Sequence, residues 1–284
     1  MILDYIRKPD YALSGKPDTS LFPTEAVIWS PVRLTSRTTS HSFLLIQVEI
    51  IKIRESSYLA RKILEEIKAI VKPGVTTEEL DEFARELIVI HKAYPSLLNY
   101  RGYPKSIHCS VNNVIGRGVP DGRALEAGDI LSVELSLYLS GYHGSCSETL
   151  TVGQADPHAV KLVRVAAECA DIGLSVCKPG LLLSSIGRAI NNHARAHNCA
   201  VVREIIGHGI GEFLTGPPDV YHCPNAVFGR LEPGMIFTIE PVVSEGDRRL
   251  GVLEDGLSLV TQDNSRTALS ARTVLITNTG AESL

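Results

Sequence analysis

The chain of 284 residues is poor in aromatic residues, at 6%, and has no long apolar run. A membrane-spanning helix needs about 18 consecutive apolar residues, so no membrane segment is predicted. The six cysteines are scattered and form no C-x-x-C pair, which is typical of a reduced intracellular protein. Basic residues form no long block and the net charge is −4, so no nucleic-acid partner is expected.

The N-terminus also lacks the apolar core of a secretory signal, which predicts a protein that is not secreted. Residues 19–43 are rich in Ser, Thr and Arg, and Glu25 is their only acidic residue. This composition resembles an organelle transit peptide, although a loose surface extension is the favoured interpretation. We therefore expect an N-terminal extension over residues 1–50, poorly ordered in part, and one domain over residues 51–284. The compartment is predicted to be cytoplasmic or mitochondrial.

An internal duplication is the most informative feature of the sequence. The tripeptide 72–74 (KPG) recurs 106 residues later as 178–180, and the segment 125–130 (LEAGDI) recurs at the same offset as 231–236 (LEPGMI). Two matches at one offset indicate two homologous halves.

Both halves contain the same predicted elements in the same order. An amphipathic helix precedes each KPG, because apolar residues recur there at helical spacing and Pro-Gly ends a helix. A second helix follows, and Thr76 with Glu79 fits a capping box at its start in the first half. Strands come next, with an alternating pattern from Ile130 to Leu139 and a hairpin return. The sequence predicts an α+β fold with two pseudo-symmetric αα-ββ halves.

The duplication also predicts a pair of facing carboxylates. Glu134 and Glu240 lie 106 residues apart, each on the polar face of an otherwise apolar strand. A pseudo-twofold axis would point both side chains into one cleft, where a cation or a shared proton must relieve their repulsion. Two solvent-facing glutamates are the alternative interpretation. The three glycines that surround His208 favour a site, because they let backbone approach closely and leave the ring accessible.

Several ordered motifs together resemble the type I methionine aminopeptidases, and most closely the mitochondrial form. They are 102–106 (GYPKS), 110–114 (SVNNV), 118–121 (GVPD), 141–144 (GYHG), 207–211 (GHGIG) and 237–241 (FTIEP). The resemblance covers residue 51 to the C-terminus and the patch 6–11. It implies the pita-bread (creatinase/aminopeptidase) fold. It also implies removal of the N-terminal methionine from nascent proteins by two divalent ions, Mn, Co, Fe or Zn, which activate a bridging water.

The metal ligands of the family are only partly present in this chain. The resemblance places family ligands at His208 and Glu240, and at Glu134 in place of an aspartate. The other two ligand positions, which bridge the ions in the family, are Ser145 and Ala271. A hydroxyl and a methyl cannot replace two carboxylates, so at most one weakly bound ion is expected, or none. Cys146 as a substitute thiolate ligand is an alternative.

The family's two histidines for substrate binding and proton transfer are also replaced, by Arg117 and Thr215. Neither side chain is a base near neutral pH, so no catalytic residue is intact. The resemblance assigns substrate binding to Tyr100, Tyr103 and Arg117. A further hypothesis is that Arg117 forms an ion pair with Glu134 and Glu240 in place of metal.

Three functions are therefore compatible with the sequence. The chain is expected to be a methionine aminopeptidase-like protein with impaired or lost catalysis. The alternatives are an active single-metal aminopeptidase of low rate, and a non-catalytic binder of protein N-termini or of a partner protein. The expected partners are protein N-termini or nascent peptides, and the expected state is a monomer.

Overall fold

The computed structural model of the chain describes residues 5–18 and 41–284. Within the first segment, the short helix α1 (Tyr11–Ser14) ends at Gly15, whose φ of 69° is the left-handed conformation that glycine adopts without strain. The buried Tyr11 hydroxyl donates to the Ser96 carbonyl at 2.5 Å, so this segment is attached to the body of the protein. Residues 1–4 and 19–40 of the predicted extension lie outside the described residues.

Two helices open the first half. Helix α2 (His41–Ile70) begins inside the predicted extension and runs to the KPG turn, and α3 (Thr77–Ile90) follows. The predicted capping box is confirmed, because the Thr76 hydroxyl accepts from the Glu79 amide at 3.1 Å while the Glu79 carboxylate accepts from the Thr76 amide at 2.7 Å. These two bonds satisfy amide groups at the start of α3 that would otherwise lack partners.

An antiparallel sheet with strands of unequal length packs against these helices. The central β4 (Ile130–Leu139) pairs with β1 (Tyr94–Pro95), β2 (Ile107–Val111) and β5 (Tyr142–Thr151). Its apolar face, with Leu131, Val133 and Leu135, is fully buried with residues of α2 and α3, which confirms the alternation read in the sequence. The opposite face of β4 carries the polar side chains and points toward the other half of the molecule.

The second half repeats this arrangement. Helices α4 (Pro157–Ser175) and α5 (Ser184–Ala196) pack against a sheet of this half. The remaining strands of the chain are β3 (Val114–Gly116) in the first half, and then β6 (Ala200–Val201), β7 (Gly207–Gly209), β8 (Gly216–Val220), β9 (Ile236–Ile239), β10 (Val242–Ser244), β11 (Leu250–Val252), β12 (Leu259–Thr261), β13 (Thr267–Leu269), β14 (Arg272–Ile276) and β15 (Ala281–Ser283) in the second. The sheet beneath the two helices has the strand order β15-β14-β9-β7-β8.

Equivalent hydrogen bonds confirm the pseudo-symmetry. The Gly74 amide donates to the Leu125 carbonyl at 2.8 Å, and 106 residues later the Gly180 amide donates to the Leu231 carbonyl at 2.7 Å. Both glycines have positive φ, 92° and 83°. The predicted α+β architecture with two αα-ββ halves is therefore present in the backbone. None of the described helices combines the length and the apolar character needed to cross a bilayer.

Candidate functional site

Glu134 lies in the middle of β4, on its polar face. On one side it is opposite Ser147 of β5, and on the other it is opposite His108 of β2. The Glu134 Oε1 and His108 Nδ1 atoms are 3.5 Å apart, and both are buried without a hydrogen-bond partner among the described residues. Two buried polar atoms that lack partners are costly in a folded protein, so this position is suited to a ligand or an ion.

The charge of Glu134 is balanced mainly by its basic neighbours. Burial alone raises the pKa of the Glu134 carboxyl, but attraction to His108 and Arg117 outweighs burial and leaves its pKa below the ordinary value. The carboxylate is therefore ionised at neutral pH, and a negative charge lies at the polar face of β4.

His208 is held in one orientation by the backbone of β7. Its Nδ1–H donates to the Gly209 carbonyl at 3.0 Å, which leaves the Nε2 lone pair free. Burial lowers the pKa of His208, so the imidazole is neutral. The flanking glycines are required by close packing, since a Cβ would lie 2.0 Å from the Thr238 carbonyl oxygen at Gly207 and 1.9 Å from the Pro217 carbonyl oxygen at Gly209. The predicted close backbone approach around this histidine is confirmed.

Glu240 follows β9 and lies beside His208. Its Oε1 atom is 3.6 Å from His208 Nε2 and accepts a hydrogen bond from the Thr238 hydroxyl at 3.2 Å. Burial, together with the negative charge of Glu134, raises the pKa of Glu240 to about 8. The charge of Glu134 contributes to this rise in the pKa of Glu240, which is consistent with the facing carboxylates that the duplication predicts.

The two predicted gaps in the ligand set are filled by short side chains. Ser145 lies on β5, and its hydroxyl accepts a hydrogen bond from Ser136 at 2.8 Å. Ala271 pairs with Ser147 across a β-bridge and is buried. Neither position offers an acidic oxygen, and the Ser145 hydroxyl is already bonded to a neighbour on β4.

The donor atoms of the cleft are of the kinds that bind a divalent ion. A neutral imidazole nitrogen and carboxylate oxygens are suitable ligands for a transition metal, and the buried Glu134 Oε1 has no hydrogen-bond partner among the described residues. However, among the described residues no three of the donor groups in the cleft lie within 4.8 Å of one another. His208–Glu240 and His108–Glu134 form two separate pairs, and an ion would have to draw them together.

Arg117 does not form the ion pair that the sequence suggested. Among the described residues, no salt bridge within 4.0 Å joins its guanidinium group to Glu134 or Glu240, and its side chain is exposed. Its charge lowers the pKa of both carboxyl groups, and a hydrogen bond from its backbone also lowers the pKa of Glu134. His108 is the nearest basic partner of Glu134 instead, because the β2–β4 register places it directly opposite.

Cys146 is also excluded as a metal ligand. It alternates with Ser145 and Ser147 along β5, so it faces the apolar core beneath α2. Burial raises the pKa of the Cys146 thiol to about 12, and the thiol is therefore protonated at neutral pH.

The residues assigned to substrate binding lie at two depths. Tyr103 is buried, with its hydroxyl 3.0 Å from the Gly118 carbonyl and its ring edge-on to His108 at 4.6 Å. Tyr100 lies farther out, where it lines a small pocket with Thr215. The N-terminal segment contributes to the same pocket, which is lined by Asp10, Tyr11, Pro17, Asp18, Tyr100, Glu212, Phe213, Leu214 and Thr215.

Sequence reasoning missed two histidines of this region. In the sequence, His108 is a polar residue within an apolar strand, and nothing there indicates its partner. Its position beside Glu134 depends on the register of β2 against β4. His222 is buried, and its Nε2 accepts a hydrogen bond from the Glu240 amide at 3.1 Å while its Nδ1–H donates to the Ile205 carbonyl at 3.2 Å. Burial lowers the pKa of His222 to about 4, so a neutral ring positions Glu240.

Comparison with known proteins identifies relatives over most of the chain. The model of metallopeptidase family M24 matches residues 51–278. Methionine aminopeptidase A of Synechocystis sp. is 42% identical over 243 residues, which are 85% of this chain and 96% of that protein. Human methionine aminopeptidase 1D, mitochondrial, is 41% identical over 232 residues, which are 82% of this chain and 69% of the human protein.

A solved structure shows the same fold. The crystal structure of methionine aminopeptidase from Rickettsia prowazekii matches with a TM-score of 0.82 and 35% identity, and the match covers 84% of this chain and 96% of that chain. The resemblance inferred from motifs is confirmed, and so is the pita-bread fold that it implies.

Proposed function

Because this chain belongs to metallopeptidase family M24, with methionine aminopeptidases as its relatives, we propose that it keeps the cleft for protein N-termini and has impaired or lost catalysis. The observation that carries this proposal is the environment of Ser145 and Ala271. A hydroxyl bonded to Ser136 and a buried methyl occupy the positions where two bridging carboxylates are expected. Loss of that negative charge removes the basis for tight binding of an ion pair.

The retained side chains would hold at most one ion. His208, Glu240 and Glu134 are the proposed ligands, and the ion would be Mn, Co, Fe or Zn. When bound, such an ion polarises a carbonyl group and lowers the pKa of a coordinated water. Neither Arg117 nor Thr215 offers the imidazole that the family is expected to use for proton transfer at these two positions.

The binding part of the function depends on groups that remain. Glu134 is ionised at the base of the cleft and attracts the α-ammonium group of a peptide. Tyr103 and Tyr100 provide aromatic surface from the buried end of the cleft to its outer pocket. We assign substrate binding to these tyrosines and to Arg117, whose charge would attract the carbonyl oxygens of an incoming chain.

The test is methionine release from a Met-Ala-Ser peptide by the EDTA-treated full chain, with Mn²⁺ or Co²⁺ added back. We expect no release above the EDTA control, because no pair of ions is held. Binding of the same peptide, measured by calorimetry, should persist without metal. Metal-dependent release would overturn the proposed loss of catalysis, and absence of peptide binding would overturn the proposed retained function.

A single-metal aminopeptidase of low rate is the second candidate. It is favoured by the free Nε2 lone pair of His208, which faces Glu240 Oε1 at 3.6 Å. In that case methionine release would rise when metal is added and would disappear in His208→Ala. If the chain only binds peptides, neither the added metal nor this substitution would change methionine release.

The cellular setting is proposed from the same relatives. The human relative is named as mitochondrial, and we propose a mitochondrial compartment for this chain, with nascent peptides as partners and a monomeric state. We also propose that residues 51–284 form the pita-bread aminopeptidase-like domain and residues 1–50 an N-terminal extension. Localisation of a C-terminal fluorescent fusion of the full chain would test the compartment, since a purely cytosolic signal contradicts it.

A further inference from the structure

A second cluster of metal-ligating side chains lies on α4 and α5. His193 and His197 are four residues apart, so they project from the same face at the C-terminal end of α5. Glu168 of α4 faces both rings. Its Oε2 atom is 2.8 Å from His193 Nε2 and 3.9 Å from His197 Nε2. The two rings are 4.6 Å apart between centroids.

His193 Nε2 and Glu168 Oε2 are hydrogen-bonded to each other at 2.8 Å, and the surroundings direct both atoms toward one position for a common ligand. Arg164 donates to Glu168 Oε1 at 2.5 Å, which directs Oε2 toward the two histidines. The side chains of His193, His197 and Glu168 are 20%, 31% and 33% exposed, so an ion can reach them from solvent while they remain partly desolvated. Their three ligand atoms all lie within 4.8 Å of one another.

We propose that Glu168, His193 and His197 bind one divalent ion of the zinc class. Two imidazole nitrogens and one carboxylate oxygen form a donor set that suits Zn²⁺ and disfavours Mg²⁺ or Ca²⁺, which take oxygen ligands. In a tetrahedral zinc site with bonds of about 2.0–2.1 Å, neighbouring ligand atoms are about 3.3 Å apart. The distances from Glu168 Oε2 to His193 Nε2, 2.8 Å, and to His197 Nε2, 3.9 Å, lie on either side of that value. A water molecule would complete the fourth position.

The ion would have a structural role that is separate from the cleft. It would join α4 to the C-terminal end of α5, where the helix dipole favours positive charge. Helix α5 ends there, and the chain turns through Asn198, with φ of 57°, into β6. Binding would therefore stabilise the packing of the two helices that cover the sheet of the second half.

Zinc titration of the EDTA-treated full chain by calorimetry tests this site. Four proteins are compared, namely the unmodified chain, the double variant His193→Ala/His197→Ala, the cleft variant His208→Ala, and His158→Ala as a control at an exposed position of α4. We expect one equivalent of zinc to be lost in the double variant and retained in the other two. Equal zinc binding by the double variant and the unmodified chain would overturn the proposal.

Two further measurements keep the test independent of folding defects. Glu168→Gln preserves the shape of the side chain, and we expect it to weaken zinc binding by about tenfold or more. Co²⁺ should give the visible absorption of a tetrahedral site in the unmodified chain and in His208→Ala, but not in Glu168→Gln. An unchanged affinity and spectrum in Glu168→Gln would contradict the assignment of the carboxylate ligand.

Discussion

Glu134 lies between two chemically different neighbours, the imidazole of His108 on β2 and a row of hydroxyl groups on β5. Ser132 bonds to Thr149 at 2.7 Å and Ser136 bonds to Ser145 at 2.8 Å, so the hydroxyl pairs on both sides of the glutamate satisfy each other. The glutamate itself has no hydrogen-bond partner at Oε1. Among the described residues, the buried atoms without partners at this face are therefore gathered at Glu134 and at its two cross-strand neighbours, His108 and Ser147.

Restoring the two missing carboxylates should restore metal binding. In Ser145→Asp/Ala271→Glu, four carboxylates and His208 would surround the cleft, and we expect Mn²⁺ affinity to increase by about tenfold or more. In EDTA the same charges repel one another, so the thermal midpoint should fall and should recover when Mn²⁺ is added. Calorimetry and thermal unfolding measure both effects.

The control for that variant is Thr279→Asp, which adds a carboxylate at an exposed turn. We expect it to change neither metal affinity nor the thermal midpoint. If the double variant bound Mn²⁺ no better than this control, the loss of the two carboxylates would not be the reason for weak metal binding.

Strand β7 shows how an element determines the site. It carries one functional side chain, His208, and its two glycines let the backbone lie against β9 and the Pro217 region. Gly207→Ala would place a methyl 2.0 Å from the Thr238 carbonyl oxygen. We expect this to lower the free energy of unfolding by about 2–3 kcal/mol, because β9 must move.

The matched control is Gly122→Ala, where no atom lies within 4 Å of the added Cβ. We expect Gly122→Ala to change the free energy of unfolding by less than about 1 kcal/mol. The change can be stabilising, because alanine reduces the conformational entropy of the unfolded chain. Urea unfolding of both variants compares them directly. Equal stability of the two would show that β7 and β9 can separate without cost, contrary to the packing described above.

The stability of the molecule as a whole depends on a neutral histidine in its interior. His143 is fully buried, and its Nδ1 atom is 2.8 Å from the Ser96 hydroxyl. Burial, with the nearby His208, lowers the pKa of His143 to about 3. In the unfolded chain a histidine has a pKa of about 6.5. Below that pH the unfolded state binds a proton that the folded state excludes, so stability falls as the pH falls toward 3.

This group alone should contribute a slope of at most about 1.4 kcal/mol per pH unit below pH 6. Urea unfolding at pH 7.5, 6.5 and 5.5 measures the slope. We expect His143→Asn to be less stable at pH 7.5 but to have a shallower dependence on pH, whereas the exposed His158→Asn keeps the original slope. An unchanged slope in His143→Asn would mean that other groups cause the acid sensitivity.

The duplication, the helices and the strand alternation could be predicted because each depends on residues close together in the chain. The KPG turns, the capping box of α3 and the apolar face of β4 all follow from local periodicity and turn chemistry. His208, Glu240 and Glu134 could be proposed as ligands from motif and offset. That they form a metal site stays a prediction.

The partners of these residues could not be predicted, because strand register and the packing of the two halves bring together groups that are distant in sequence. Register places His108 beside Glu134, although Arg117 was the expected cation. Packing places His222 behind Glu240, and it places Glu168 of one helix beside His193 and His197 of the next. Local sequence therefore specified which chemical groups this chain carries, whereas long-range burial and pairing decided which of them meet, since those contacts form only when the whole fold closes.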